Sequence, residues 1–357
     1  MAVNKLELIR DLSNANGISG FEEEVAAVVK DYASESSDVF VDAMNNAYLN
    51  RKQNTGKRPI VMIDGHSDEV GFMVESINTK GLIKFIAMGG WAASNVAAHL
   101  VRIRNYRGEY IRGITTSKPP HFLSDAEKNA APNIDNMFID IGATSREEVT
   151  ETFGIDVGCP VVPEVEFEYN ETTKMMMGKA FDDRIGCACV IGVLDELKNR
   201  KVEIDVVGTI STQEEVGLRG SKVTSNKVKP DIAIVFEGTP ADDGFRGTFE
   251  AQAALKFGPQ VRHRDASMIT HPRFLAFARS IAVEKGIAFQ DAVRAGGGTD
   301  GGSIHLAHNG VPTIVIGIPV RYIHTHYGYC AYEDYEAAIQ WGVAIIEKLN
   351  IQVIESL

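Results

Sequence analysis

Acidic and imidazole side chains stand at or just beyond the ends of several apolar segments of the chain. In a parallel α/β sheet, ligands bind beyond the carboxyl ends of the strands, so such side chains can converge on one site. Two imidazoles and three carboxylates suit a pair of divalent ions, such as Zn²⁺, Co²⁺ or Mn²⁺, about 3.5–4 Å apart and bridged by one carboxylate. The candidate ligands are His66, Asp182, Glu215, Glu237 and His324.

Each of these signals has an ordinary structural explanation when it is considered alone. His66 and Asp68 lie on one side of an extended segment, an arrangement found in metal-binding and in structural histidines. Asp182 opens a predicted helix, where it could be the N-cap. Glu214 and Glu215 follow a strand, and they are either a solvated loop or a pair that divides metal binding and general-base catalysis. Their combination favours a metal centre.

Apolar strands alternate with helices over most of the chain, a pattern that predicts how these side chains are positioned. The alternation is typical of an α/β fold in which helices cover both faces of a mostly parallel sheet. Predicted strands span residues 59–64, 202–211, 230–236 and 312–317, and predicted helices span residues 184–197, 273–284 and 333–349.

Residues 71–164 have a different pattern, with short strand-like pieces that are separated by glycine-rich or polar turns. No long amphipathic helix is predicted in this segment, which is typical of an all-β unit. The sequence therefore predicts a small β domain of residues 71–164, inserted into an α/β domain of residues 1–70 and 165–357.

The composition excludes several classes of protein. The 357 residues include 36 Lys and Arg against 48 Asp and Glu, and the net charge of −12 leaves no basic surplus for binding nucleic acid. No stretch reaches the roughly 18 apolar residues of a membrane span, and no secretion signal is visible. The four cysteines lack the spacing of zinc fingers or redox motifs. We expect a cytoplasmic protein without nucleic-acid or membrane partners.

Six short motifs are distributed along the chain: HSDEVG at residues 66–71, SKPPH at 117–121, GKAFDDR at 178–184, QEEVG at 213–217, GGGTD at 296–300 and RYIH at 321–324. They occur in the order found in the tetrahedral (TET) di-metal aminopeptidases, and the chain resembles this family over nearly its whole length. The family includes glutamyl and deblocking aminopeptidases and proteins described as endoglucanase-like or fructose-operon peptidases.

The resemblance implies an α/β domain of the di-zinc exopeptidase type, with two divalent ions in each subunit. Asp182 would bridge the two ions. His66 and Glu237 would hold one ion, and Glu215 and His324 would hold the other.

The resemblance also implies a metal-dependent aminopeptidase that hydrolyses the N-terminal residue of short peptides. Glu214 would be the general base that takes a proton from the attacking water, and Asp68 would orient His66. The inserted segment of residues 71–164 would be a dimerisation domain, and the dimers would assemble into hollow tetrahedral dodecamers.

The sequence leaves undecided the roles of two features near these motifs, residues 296–302 and His326. The glycine-rich segment of residues 296–302 lacks the Gly-Lys-Ser/Thr ending of a phosphate-binding loop. In the resembling family this loop lies near the substrate pocket, which makes Thr299 and Asp300 candidate substrate-binding residues. His326 closely follows His324, and the sequence does not decide whether it also contributes to the site.

Three other functions are compatible with parts of the pattern. A metal-dependent amidase or deacylase would use the same ligands on N-acyl amino acids. Paired carboxylates alone would permit an endoglucanase-type glycoside hydrolase, although imidazole ligands favour metal chemistry. A non-catalytic shell or binding protein would have no use for the complete ligand set together with Glu214.

Overall fold

The fold was analysed in a computed structural model that describes residues 3–247 and 249–357, with the backbone alone at residue 127. The helices of this part of the chain are α1 Lys5–Asn14, α2 Glu23–Ala33, α3 Asp125–Asn129, α4 Phe181–Leu197, α5 Arg219–Val228, α6 Pro272–Lys285, α7 Gly301–Ile304, α8 Tyr332–Lys348 and α9 Ile351–Ser356. Short helical turns lie at Ala93–Asn95, Pro120–Phe122, Ile134–Asn136 and Glu148–Thr152.

The strands form two separate sheets. The first part of the chain contributes β1 Ser37–Val41, β2 Ala47–Arg51, β3 Ile60–His66, β4 Gly71–Ile77, β5 Ile83–Met88, β6 Leu100–Arg104, β7 Tyr110–Thr115, β8 Ile139–Asp140 and β9 Pro160–Pro163. The second part contributes β10 Glu168–Asn170, β11 Met175–Gly178, β12 Asp205–Ser211, β13 Ile232–Pro240, β14 Gln260–Arg264, β15 Gln290–Val293, β16 Thr313–Arg321 and β17 Gly328–Ala331.

The large sheet has parallel strands at its centre and antiparallel strands at both sides. Its strand order is β1-β2-β12-β3-β13-β16-β17-β11-β10, and β14 also pairs with β16 and β15. Four adjacent strands, β12, β3, β13 and β16, pair parallel to one another. At the two sides of this group, β2 pairs antiparallel with β12 and β17 pairs antiparallel with β16. The predicted α/β class is confirmed. The parallel centre brings the carboxyl ends of four strands to one edge.

Helices cover both faces of this sheet, which explains why its central strands are continuous apolar runs. On one face, α4 is buried almost all round and packs against the central strands and α8. The core here includes Phe181, Phe236, Tyr335 and Trp341. On the other face, a smaller core that includes Ile304 lies against α5 and α7.

The strands between Gly71 and Pro163 close into a barrel, in the order β4-β5-β8-β7-β6-β9. The barrel has its own apolar core, in which Phe72 and Phe85 are almost fully buried. Closure pairs every strand of the barrel with two neighbours and so leaves no open sheet edge. Its strands are the short pieces that the sequence pattern predicts.

The other structural expectations concern cysteines and membranes. Cys159, Cys187, Cys189 and Cys330 are all buried free thiols. Within residues 3–247 and 249–357, none of the helices combines the length and the apolar character that crossing a bilayer requires.

Candidate metal centre

The predicted ligands lie together because four neighbouring parallel strands end at the same edge. His66 is the last residue of β3, Glu237 lies within β13, and His324 follows β16. Glu215 follows β12, and Asp182 lies in the first turn of α4 beneath these strand ends. Residues that are up to 258 positions apart in the chain therefore share one site.

Their ligand atoms form two adjacent groups. The first group consists of His66, Glu214 and Glu237, and the second of Asp182, Glu215 and His324, with the ligand atoms of each group within 4.8 Å of one another. Asp182 joins the groups, because its Oδ1 lies 3.1 Å from Nε2 of His66 and its Oδ2 lies 3.0 Å from Nε2 of His324. One carboxylate thus faces both imidazoles.

Asp68 holds both the His66 ring and the backbone of Glu214 and Glu215. Nδ1 of His66 lies 3.1 Å from the backbone oxygen of Asp68 and 3.5 Å from its carboxylate, which leaves Nε2 directed at the centre. The backbone N–H groups of Glu214 and Glu215 both donate to the Asp68 carboxylate, at 2.9 and 3.2 Å. Ser19 adds a further hydrogen bond of 2.6 Å. A buried carboxylate that orients a ligating imidazole is common in metal sites.

Asp183 connects the strand ends to α4, a role that the sequence analysis did not predict. Its carboxylate accepts hydrogen bonds from the backbone N–H groups of His66, Gly186 and Gly238, at 2.9, 2.9 and 2.8 Å. These donors lie on β3, α4 and β13, and the Asp182–Asp183 peptide bond is cis. Asp183 therefore fixes the backbone that carries its neighbour Asp182.

A buried ionic network supports the segment that follows β3, and sequence reasoning missed it. Nζ of Lys179 lies 2.5 Å from Oε1 of Glu69, and a guanidinium nitrogen of Arg184 lies 3.3 Å from the same oxygen. Arg184 also donates to the backbone oxygen of Ser67 at 2.6 Å. Burial lowers the pKa of Lys179 to about 8. The GKAFDDR motif carries both basic residues, but nothing in its spacing points to Glu69.

The charges of the site fit a pair of divalent cations. The side chains of Asp182, Glu214, Glu215 and Glu237 are only 4–11% exposed. Burial raises the pKa values of Glu214, Glu215 and Glu237, and the neighbouring carboxylates act in the same direction. Oε1 of Glu215 and Oε2 of Glu237 accept no hydrogen bond within the described part of the chain. Crowded, unsatisfied carboxylate oxygens beside imidazoles are a suitable donor set for divalent metals.

Asp182 behaves differently from the other three carboxylates. Burial alone would raise its pKa, but the hydrogen bonds with His324 and His66 outweigh burial and lower the pKa. The carboxylate between the two imidazoles is therefore the one that the protein itself stabilises in its charged form.

A cavity of about 620 Å³ opens from this centre. Its lining includes two sets of charged side chains, the candidate metal-site residues Asp182, Glu214, Glu215, Glu237 and His324 and the arginines Arg246, Arg262 and Arg294. Residues 296–298 also line it. The side chains of Thr299 and Asp300 do not line it, because both are buried in the interior and at most 1% exposed. The glycines before them line the cavity instead, and the chain then turns inward to begin α7. Substrate binding by Thr299 and Asp300 stays a prediction.

His326 does not belong to either ligand group. Its ring is stacked on His99 with 4.1 Å between ring centroids, and Trp91 packs edge-on at 5.1 Å. The two histidines of the 321–327 segment therefore point in different directions, one towards the carboxylates and one towards the barrel.

The chain is similar to known aminopeptidases over most of its length. A family model described as M42 glutamyl aminopeptidase matches residues 45–341. The chain is 35% identical to the putative aminopeptidase FrvX of Escherichia coli, over 94% of this chain and 92% of FrvX. It is 30% identical to the glutamyl aminopeptidase of Lactococcus lactis, over 98% of both chains.

Solved structures show the same fold. A TET aminopeptidase from a marine sediment archaeon of the Thaumarchaeota is 38% identical, with a TM-score of 0.95 over 99% of both chains. The TET1 peptidase of Pyrococcus horikoshii, described as able to assemble into a tetrahedron or a large octahedral shell, is 25% identical. Its TM-score is 0.86, with 97% of this chain and 100% of that chain covered.

The position of Asp182 between the two imidazoles predicts the effect of removing its charge. We expect Asp182→Asn to keep the fold and to lose most bound metal from both groups, because the amide offers only one neutral acceptor in place of a shared carboxylate. Elemental analysis after dialysis against a metal buffer measures the loss. Asp291→Asn, at an exposed acid on β15, is the matched control and should bind as much metal as the unmodified protein. Full metal content in Asp182→Asn would contradict the bridging role.

Proposed function

Because the chain belongs to the M42 glutamyl aminopeptidase family, whose members are hydrolases that act on peptide N-termini, we propose that this site binds two divalent ions and uses them to hydrolyse peptides. The observation that carries the proposal is the Asp182 carboxylate, which lies about equally far from Nε2 of His66 and Nε2 of His324, at 3.1 and 3.0 Å. Family membership also favours peptide hydrolysis over the amidase, glycoside-hydrolase and non-catalytic alternatives.

The proposed ligands divide between two positions. His66 and Glu237 would hold one ion, with 3.9 Å between Nε2 and Oε1. Glu215 and His324 would hold the other, with 3.3 Å between Oε1 and Nε2. Asp182 would bind both ions. The donor set suits Zn²⁺, Co²⁺ or Mn²⁺.

Glu214 is the proposed general base. Its Oε2 lies 3.9 Å from Nε2 of His66, its backbone is fixed by Asp68, and it lines the cavity. The chemistry that two bound ions supply is polarisation of the scissile carbonyl and a lower pKa for the attacking water. Glu214 would take the proton of that water and pass it to the leaving amine. Asp68 would keep Nε2 of His66 directed at the centre.

If Glu214 is the general base, its substitution should lower turnover without loss of bound metal. We expect Glu214→Gln to retain both ions, because the proposed ligands are unchanged, and to lose about 10²–10⁴-fold in kcat with the proton acceptor removed. Metal content and hydrolysis of aminoacyl-p-nitroanilides are the two measurements.

A matched control for this variant is Glu336→Gln, whose side chain is 47% exposed on α8. It should have the metal content and the turnover of the unmodified protein. Turnover near the wild-type rate in Glu214→Gln would show that another group removes the proton.

The cavity supports a preference for peptides with an acidic N-terminal residue. Arg262 lies 2.9 Å from Asp265, and Arg294 and Arg246 lie 3.3 and 3.5 Å from Asp242. Three guanidinium groups are thus paired with two carboxylates. Two divalent ions would offset the four carboxylates of the metal centre, so the arginines decide the remaining charge of the cavity. A surplus guanidinium favours a carboxylate on the substrate.

This preference predicts a ranking of substrates. We expect glutamyl- and aspartyl-p-nitroanilide to be hydrolysed with a higher kcat/KM than leucyl- or lysyl-p-nitroanilide. Arg294→Met should reduce kcat/KM for the glutamyl substrate by about 10–100-fold, the effect of losing one hydrogen bond to a charged group, and leave the leucyl substrate unchanged. Arg279→Met, at an exposed ion pair on α6, is the control. A preference for the lysyl substrate would contradict the proposal.

We also propose that residues 71–164 are a dimerisation domain and that the dimers assemble into a tetrahedral dodecamer. The description of the Pyrococcus horikoshii relative supports this assembly. The barrel has an open groove of about 650 Å³, where Leu100 and Ile114 are 42% and 50% exposed. Exposed apolar side chains in a groove are typical of interaction surfaces. In this proposal the α/β domain of residues 1–70 and 165–357 carries the catalytic site. The assembled protein would be located in the cytoplasm.

This proposal predicts that a charge in the groove breaks the assembly. We expect Ile114→Asp to lower the particle mass, measured by light scattering, because the charged group would have to be desolvated at the interface. Val283→Asp, at an exposed position on α6, should leave the mass unchanged. An unchanged mass in Ile114→Asp would place the interface elsewhere.

A further inference from the structure

The segment between β16 and β17 carries two imidazoles that serve different partners. Nε2 of His324 lies 3.0 Å from Asp182 and 3.3 Å from Glu215, at the metal centre. The ring of His326 is inserted against the barrel, where His99 is stacked on it and Trp91 packs edge-on. Only one residue separates the two histidines, so a short stretch of backbone connects the ring at the metal centre to the ring at the barrel.

The backbone of this segment does not hold its conformation by local preference. Tyr322 and His324 have φ values of 63° and 58°, in the left-handed region that residues other than glycine rarely adopt. Such conformations persist where contacts impose them. Thr325 supplies contacts within the segment, because its hydroxyl oxygen lies 2.8 Å from the backbone oxygens of Tyr322 and Tyr327. Packing of the segment against the barrel is a second restraint.

His326 is the most buried residue of the segment 322–327. It is 1% exposed, and it lies against the backbone of Asn95 without a well-formed hydrogen bond to either ring nitrogen. Burying an imidazole without such partners is unfavourable, so its position rests on ring packing. Trp91, which supplies part of that packing, is itself fixed by a hydrogen bond of 3.2 Å to the oxygen of Gly71 and by stacking on Phe72.

The same turn of the barrel touches two ligands of the second group. A Cβ placed on Gly90 would lie 3.1 Å from Nδ1 of His324, and a Cβ on Gly89 would lie 3.1 Å from Oε2 of Glu215. The turn that holds His326 through Trp91 therefore also lies directly against His324 and Glu215.

We infer that His326 is a positioning residue: its ring, packed between His99 and Trp91 of the barrel, holds His324 at the second metal position. The barrel would then shape the catalytic centre as well as the assembly. The inference rests on the proposed two-metal site, and it predicts that one metal position depends on the barrel contact while the other does not.

The test compares two substitutions of His326 by metal content. We expect His326→Ala to bind about one ion where the unmodified protein binds two, with the Co²⁺ absorption spectrum of the remaining ion retained. Its kcat should fall at least about tenfold, as for other groups that orient a ligand, with little change in KM. His326→Phe keeps an aromatic ring between His99 and Trp91, and it should bind both ions and have most of the kcat of the unmodified protein. Circular dichroism and Tm check that each variant is folded.

A second substitution acts on the same ligand from the barrel side. Gly90→Ala should displace the His324 ring and weaken the same metal position. Gly244→Ala, where a Cβ meets no atom within 4 Å, and His263→Ala, at a partly exposed ion pair on β14, are the controls and should bind two ions.

Two results would overturn the inference. If folded His326→Ala keeps both ions and its turnover, His326 does not position His324. If His326→Phe loses an ion as His326→Ala does, the imidazole itself is required and ring packing is not its role. Failure of the proposed function would be distinct, because the unmodified protein would then hold no metal pair or would show no peptidase activity.

Discussion

Burial of four carboxylates at one edge of the sheet is the constraint around which this protein is built. Asp182, Glu214, Glu215 and Glu237 are nearly enclosed and close to one another. In such a medium each ionised carboxylate raises the energy of the next, so the arrangement needs positive charge in its midst. Two imidazoles face Asp182, but as metal ligands they are neutral. The two ions proposed for the site would supply the positive charge, and the metal would then stabilise the fold as well as take part in the reaction.

Hydrogen bonds to Asp183 and Asp68 hold in place the backbone segments that carry the buried carboxylates. Asp183 receives three backbone N–H groups from β3, α4 and β13, and Asp68 receives two from the segment after β12. Each carboxylate thus joins separate elements through their backbones, which fixes ligand positions with less dependence on flexible side chains. Lys179 and Arg184 neutralise Glu69 in the segment after β3. These buried contacts between separate elements hold the ligand-bearing backbone in place.

The two domains divide the task of enclosing the site. The α/β body supplies the proposed ligands and the arginines that line the cavity. The barrel reaches the centre through residues 89–91, which lie against Glu215 and His324, and through the contact between His99 and His326. An inserted domain in direct contact with two proposed ligands is well placed to influence the reaction.

The sequence alone determined the α/β class, the inserted β segment and the identity of the residues that meet at the centre. Those features follow from local patterns: apolar runs form strands, and polar side chains at strand ends share an edge once the strands are parallel. The same local patterns could not decide the burial of Thr299 and Asp300, the partners of Glu69, the arginine side of the cavity or the direction of His326. Thr299, Asp300 and His326 lie in irregular segments, where side-chain direction has no period. The partners of Glu69 and the arginines of the cavity come from elements that are distant in the sequence. Only the tertiary structure brings those neighbours together.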